Sequence, residues 1–182
     1  VAPTYTYKIG LFGGKDITGA VLVDAVSGEC QYYAIEDVPT WIDRVYPSEL
    51  LLEQLNNWGK YTHGFFNTIF SQKGVLKPTD GYNYIALNDD VYLYTGLTSV
   101  SNDASNVGFA LINMRTKEAK YYAISGAEEF SAMSSAEGKV TDLKYTATFP
   151  ILINAGGEPT YFMSLKDSAG LVKKYAFVSV EN

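Results

Sequence analysis

The chain of 182 residues has one cysteine and one histidine. A lone cysteine excludes an intrachain disulfide. The two together cannot supply the several nitrogen and sulfur ligands that zinc usually takes. No apolar run approaches 18 residues, so no stretch reads as a bilayer-spanning helix. Basic residues are scarce: 14 Lys and Arg face 20 Asp and Glu, a net charge of −6. That balance argues against nucleic acid and anionic lipid, both of which need a basic surface. An initiator Met and a signal-type segment are also missing, so the chain reads as a processed product or an excised piece, with any targeting or anchoring segment outside it.

What is present is apolar and aromatic. Fifteen Tyr and nine Phe accompany a 47% hydrophobic and 19% charged composition, which describes a globular protein. With frequent Val, Ile and Thr, these residues favour strands. A chain of this length buries roughly 70% of its unfolded surface and needs no metal or disulfide to hold it.

One stretch occurs twice. Gly19–Ile35 (GAVLVDAVSGECQYYAI) returns without a gap as Gly108–Ile124 (GFALINMRTKEAKYYAI), with seven identical positions. Each copy reads as a β-hairpin: an apolar strand, an Asp or Asn, a Ser or Thr turn, then a strand with a Tyr doublet. Gly28 supplies the positive φ of a tight turn. Adjacent tyrosines of a strand point to opposite faces, so one of each pair can pack while the other meets solvent.

Taken in order, strands are expected over Tyr5–Leu11, Gly19–Ala25 and Glu29–Glu36. A short helical turn is expected over Pro39–Val45. Pro47-Ser48-Glu49 starts a helix that runs over about Ser48–Trp58, with Leu51, Leu55 and Trp58 in one stripe. A second segment over Lys60–Phe70 extends the stripe through Phe65 and Ile69. A polar loop follows over Ser71–Gly81, then strands over Tyr82–Leu87, Val91–Leu97 and the second hairpin. Ser125 and Glu128 fit a capping box for a helix that Gly138 ends. Strands over Leu143–Asn154, Pro159–Leu165 and Leu171–Val180 close the chain. The order is βββ-α-ββββ-α-βββ, which predicts an α+β fold with helices on antiparallel sheets. Tyr82–Leu97 also resembles Phe149–Leu165. We therefore expect one compact domain over 1–182 with an internal duplication: copies at about 5–70 and 94–140, and related hairpins at 82–97 and 149–165. The first three strands then belong to a unit whose helix lies elsewhere, the last helix being the candidate.

A helix followed by an antiparallel meander resembles the cystatin-like and PepSY-type small domains of bacterial envelope proteins. Val21–Cys30 (VLVDAVSGEC) looks like the hairpin of PepSY-type repeats. The second copy departs from it, with Asn113 for the Asp and Lys117 for the Gly. The Trp58-Gly59-Lys60-Tyr61 and His63-Gly64-Phe65 neighbourhood is similar to uncharacterised ectodomains of membrane proteins from Gram-positive bacteria. The resemblance implies two related units of helix plus antiparallel meander in an extracytoplasmic module, tethered to the membrane by a segment outside this chain. It implies no catalytic residues.

Reactive groups do not cluster in the sequence. His63 has aromatic neighbours and reads as a residue of packing or of a simple hydrogen bond. Cys30 stands where the second copy has Ala119 and reads as a small semi-buried filler, since a catalytic thiolate needs a basic partner. Asn88-Asp89-Asp90 is a turn too short to supply the oxygens of a Ca²⁺ site, and Asp16, Asp103 and Asp167 read as turn acids. The glycine-rich stretches at Gly10–Gly14 and Ala155–Gly157 do not precede helices, as a phosphate loop must. Glu128 reads as a cap and Glu129 as a solvent-facing acid. No cofactor, metal or catalytic residue is assigned. The remaining feature is a set of aromatics near the first helix: Trp41, Trp58, Tyr61, Phe65 and Phe66, with His63 among them. Their default fate is burial under a sheet; if exposed, they form a surface that stacks on sugars or anchors a peptide. The leading expectation is thus a non-catalytic interaction module whose partner is a protein or a cell-wall component. A small-ligand or hydrolytic enzyme on a cystatin-like sheet is one alternative. Assembly through open edge strands is another.

Overall fold

The computed structural model describes residues 1–10, 13–100 and 106–180. It is an α+β fold with three antiparallel sheets. The first sheet contains β1 (Ala2–Tyr7), β2 (Lys15–Val23) and β3 (Cys30–Ala34). Two helices follow, α1 (Ser48–Tyr61) and α2 (Phe65–Phe70). The second sheet is built on β6 (Asp90–Ser99), with β4 (Leu76–Pro78) and β5 (Asn83–Leu87) along one edge and β7 (Asn106–Asn113) then β8 (Ala119–Tyr122) on the other. After α3 (Glu129–Gly138), the third sheet is built on β11 (Glu158–Lys166), with β9 (Thr146–Ala147) and β10 (Ile151–Ala155) on one side and β12 (Val172–Ser179) on the other.

The sheets share a plan. In each, one ladder shifts register once: β1–β2 at Thr4/Tyr5, β6–β7 at Leu97/Thr98 and β11–β12 at Leu165/Lys166. Such bulges bend and twist a strand, which lets a short sheet curl around a helix. In the second and third sheets a short strand, β4 or β9, pairs beside the bulge, and a longer one, β5 or β10, pairs with the rest. The loops are tight: Asn88 and Asp89 take positive φ between β5 and β6, as Gly156 and Gly157 do between β10 and β11.

Two cores form. One joins Leu50, Leu51 and Leu55 of α1 to Leu93, Leu97, Ala110 and Ile112 of the second sheet, and reaches Ile17 and Ala20 of β2. The segment between β3 and α1 closes it with Ile42, Val45 and Tyr46, and the Val45 and Tyr46 amides both donate to the Met114 carbonyl. The other core packs Ala132 and Ala136 of α3 on Tyr161, Met163 and Leu165 of β11. Asp16 ties the first sheet to the second: its carboxylate takes Lys117, from the β7–β8 turn, at 2.8 Å, together with Lys8.

Several expectations are corrected. α3 covers the strands that follow it, not the first sheet. A 3₁₀ turn lies at Ile35–Asp37, ahead of the helical turn expected at Pro39–Val45. The loop expected over Ser71–Gly81 contains β4, and the strand expected from Leu143 is interrupted, with Pro150 buried between β9 and β10. Proline lacks the amide that a continuous ladder requires. α3 starts at Glu129 without a side-chain cap, so the Ser125 capping box is not formed. Asp16 is a buried ion-pair residue, not a turn acid. Asp103 lies outside the described residues. Among those described, no helix is long and apolar enough to cross a membrane.

Candidate functional site

α1 begins after Pro47, whose φ of −63° suits a helix entry. It presents Leu51, Leu55 and Trp58 to the β7–β8 hairpin, where they share an apolar cleft with Ala110, Ile112 and Tyr121. The helix runs on through Gly59, as it must: a β-carbon there would collide with the Leu76 carbonyl of β4. The Thr62 amide closes the last turn onto the Trp58 carbonyl. Gly64, at a φ of +90°, then breaks the chain direction, so the stripe of α1 does not continue into α2.

The break leaves α2 inverted. A surface helix normally buries its apolar side, yet Phe65, Phe66, Ile69 and Phe70 are all exposed, Phe70 at 80%. The polar residues face inward. Thr68 donates its hydroxyl to the Lys60 carbonyl and Asn67 its amide to the Lys73 carbonyl at 2.9 Å. Tyr61 stacks on Phe65 with ring centroids 6.3 Å apart, Phe65 meets Phe66 edge-on at 5.9 Å, and Phe66 stacks on Phe70 at 6.4 Å. Sequence reasoning places these aromatics under a sheet; the structure places them on the surface. Ile69 and Phe70 extend the group beyond the residues singled out from sequence, and the alternation of apolar with Asn67-Thr68 was the available signal.

The other candidates separate from this surface. Trp58 lies at its border, its ring 6.2 Å from Tyr121. His63 is exposed at the turn, with its imidazole over Gly74, where a β-carbon would meet it. Among the described residues the imidazole has no hydrogen bond or ion pair, and no acid or tyrosine converges on it. Trp41, 70% exposed, belongs elsewhere and lines an open cleft of about 870 Å³ beside Leu22, Gln31 and Tyr33. Cys30 is exposed rather than semi-buried, as is Ala119 at the matching place of β8. Among the described residues no group of three His, Cys, Asp or Glu could hold a metal.

The chemistry that sequence reasoning missed is buried. Glu129, expected in solvent, is fully enclosed. Its carboxyl accepts from Asn106 at 3.1 Å, Thr79 at 3.3 Å and Tyr94 at 3.5 Å, and among the described residues no cation pairs with it. Gly96 makes the room: a β-carbon there would overlap the carboxyl. Burial pushes the Glu129 acid above the usual carboxylate range, against the lowering effect of the Thr79 and Tyr94 hydroxyls. Burial likewise raises the Tyr94 and Tyr161 phenols, helped by the Glu129 charge. Tyr161 completes the cluster, accepting from Asn106 and donating to the Ala127 carbonyl, each at 2.9 Å. The cluster joins the second sheet to the start of α3. Asp16 is opposite in sense. Burial works against its charge, but the hydrogen bonds and ammonium charge of Lys117 and Lys8 outweigh burial and hold it well below the ordinary range.

Comparison with known proteins finds no matching family model, no matching characterised protein and no matching solved structure.

Proposed function

We propose that the protein is a non-catalytic interaction module, the extracytoplasmic part of a bacterial envelope protein, and that the surface of Tyr61, Phe65, Phe66, Ile69 and Phe70 is where it holds a protein or cell-wall partner. The observation that carries this reading is the inverted α2. A short helix that turns its amide and hydroxyl groups inward and four large apolar side chains outward gives up burial free energy, roughly 1.5–3 kcal/mol for each large side chain. Contiguous apolar surface of this kind marks interaction sites, and rigid aromatics are the usual anchors of such sites. In the same reading, the hairpins at Asp24 and Asn113 and the matched plan of the sheets are copies of one helix-plus-meander unit of PepSY-like or cystatin-like type. The unit serves as scaffold and leaves recognition to the helical insertion.

The test places a photo-crosslinking amino acid at position 66 of the protein in its native cells, with position 177 as a control exposed on another sheet. A discrete adduct from position 66 that is absent from position 177, and lost with Phe70→Ser, supports the reading. Retention on purified peptidoglycan that Phe66→Ser and Phe70→Ser abolish supports the cell-wall form of it. Absence of any adduct together with no retention overturns it.

A further inference from the structure

The two hydrophobic cores meet at a polar seam. One core holds α1 on the second sheet, the other holds α3 on the third, and the two sheets share no ladder. Aromatic rings line the seam: Phe149 lies over Gly81, with its ring 6.4 Å from that of Tyr94. The centre is polar. The Asn106 amide donates to the Glu129 carboxyl and to the Tyr161 hydroxyl, so one side chain of β7 holds both α3 and β11. The Gly126 amide donates to the Asn106 carbonyl at 3.1 Å. Thr79 and Tyr94 add two more bonds to the same carboxyl. All three bonds to the Glu129 side chain therefore run from the second sheet and its β4–β5 link to α3.

That carboxyl is fully enclosed and its partners are neutral. Its bonds are long, at 3.1, 3.3 and 3.5 Å. An ionised carboxylate draws its donors to about 2.7–2.9 Å, as Asp90 draws Arg115 at 2.8 Å and Asn113 at 2.9 Å. The geometry is that of a protonated acid. The groups around it do not favour a charge. Tyr94 faces it from β6, and Tyr161 lies beside it from β11; both are themselves weak acids. Glu128 adds a like charge from the preceding position. Lys77 and Asp80 stand outside, lining a cleft with Thr79 and Glu128. Among the described residues no cation pairs with Glu129. An acid so placed ionises at a high cost unless the seam opens and water reaches it.

We propose that the seam is a pH-gated joint: the proton on Glu129 keeps α3 and the third sheet docked on the second sheet, and its loss lets them part. Each core survives the parting, because the carboxyl belongs to neither. This is a hinge between two packed bodies, opening as a unit smaller than the whole chain. In the closed joint the acid is protonated. In the open joint it meets water and ionises in the ordinary carboxylate range near 4. Opening therefore grows as pH rises above that range and levels off once the closed form also loses its proton. The opened joint bares Tyr94, which is only 1% exposed when it is closed. The joint is distinct from the α2 surface, so either stands without the other.

The test is amide hydrogen exchange in the full chain between pH 5 and pH 8, resolved by NMR. The Gly126 amide, bonded across the seam, reports the joint. The Leu111 and Met163 amides report the middles of β7 and β11. Dividing the Gly126 rate by the other two removes the pH dependence common to all amides. We expect that ratio to rise at least tenfold from pH 5 to pH 8, and Glu129→Gln to hold it within twofold. Glu128→Gln, one residue away, should keep the rise. A ratio that stays flat in the unaltered chain overturns the proposal. So does a rise that persists in Glu129→Gln, or one that Glu128→Gln alone removes. The carboxyl carbon shift of Glu129 reads the proton with no substitution at all: an ionised shift at pH 5 overturns the proposal even if Glu129→Gln fails to fold.

Discussion

The turn at Asp24 and the turn at Asn113 make the same bonds in the same places. The Asp24 carboxylate accepts from the amides of Val26 and Ser27 at 2.7 and 2.8 Å; the Asn113 carbonyl accepts from Arg115 and Thr116 at 2.8 and 2.9 Å. Ser27 and Thr116 each take the amide two residues on. Gly28 and Lys117 occupy the left-handed position at φ of +76° and +66°. Only seven of the seventeen residues agree, yet the backbone does not change, because the few groups that set it are kept or replaced by an equivalent acceptor. Burial changes on the first strand, where Ile112 is 3% and Val23 53% exposed, while Ala119 and Tyr121 are as open as Cys30 and Tyr32. A hairpin's conformation is thus local, whereas its energetic weight is decided by what lies on top of it.

That contrast is most exposed to test where the two faces meet different surroundings. Ile112→Ala removes a side chain packed under α1 and should cost about 3 kcal/mol. Val23→Ala, at the twin position, should stay within about 0.5 kcal/mol. Urea melts of both variants measure this. Similar losses would mean that the first face is covered after all.

The next effect should be equal in the two copies. At both Gly19 and Gly108 a β-carbon would strike the carbonyl of the second tyrosine of the doublet and the ring of the first. Gly19→Ala and Gly108→Ala should each cost about 2 kcal/mol, the scale of a forced overpacking. If Gly19→Ala is silent while Gly108→Ala is not, the common backbone is a coincidence of the ladder and not a constraint.

The legible part of this fold was the local part. The hairpins, the Asn88 and Gly156 turns and α1 all carry their own signals: turn residues at fixed offsets, or leucines at helical spacing. β4 and β9 were not readable, because three- and two-residue strands exist only by pairing beside a distant bulge. The helix start at Glu129 was hidden because a plausible box at Ser125 outranked it, and because a buried acid is legible only when Gly96, Asn106 and Tyr94 are known to converge. In the site, the aromatic residues were readable but their orientation was not. Phe65, Phe66, Ile69 and Phe70 look like core in any window; only Gly64 and the inward bonds of Asn67 and Thr68 turn them out.

The two buried acids extend the comparison to pH. Asp16, from the foot of the first hairpin, is held charged by the turn of the second, so Asp16→Asn should cost about 1.5 kcal/mol at pH 7, the worth of a hydrogen bond to a charged group. Its folded carboxyl is more acidic than the unfolded one. The stability it provides is therefore full above the ordinary carboxylate range near 4 and is lost as pH falls through the folded value. Glu129 runs the other way. Its folded acid is weaker than the unfolded one, so its contribution is full at low pH and is lost as pH rises. Glu129→Gln should accordingly raise the melting temperature at pH 8 and lose that advantage toward pH 4. An advantage that is the same at both pH values would show that burial does not raise the Glu129 acid in the folded protein.

The smallest effect separates the two halves of what Lys117 does. A lysine in the left-handed region is strained where Gly28 is not, but its ammonium also holds Asp16 at 2.8 Å. Lys117→Gly removes both, and the two should cancel to within about 0.5 kcal/mol. In the Asp16→Asn background the ion pair is already gone, so the same substitution should now stabilise by about 0.5 kcal/mol. The double-mutant cycle from urea melts isolates the link between the two hairpins. A cycle that closes at zero would mean that Lys117 contributes nothing to it, and that Lys8 and Gln54 alone hold Asp16 in place.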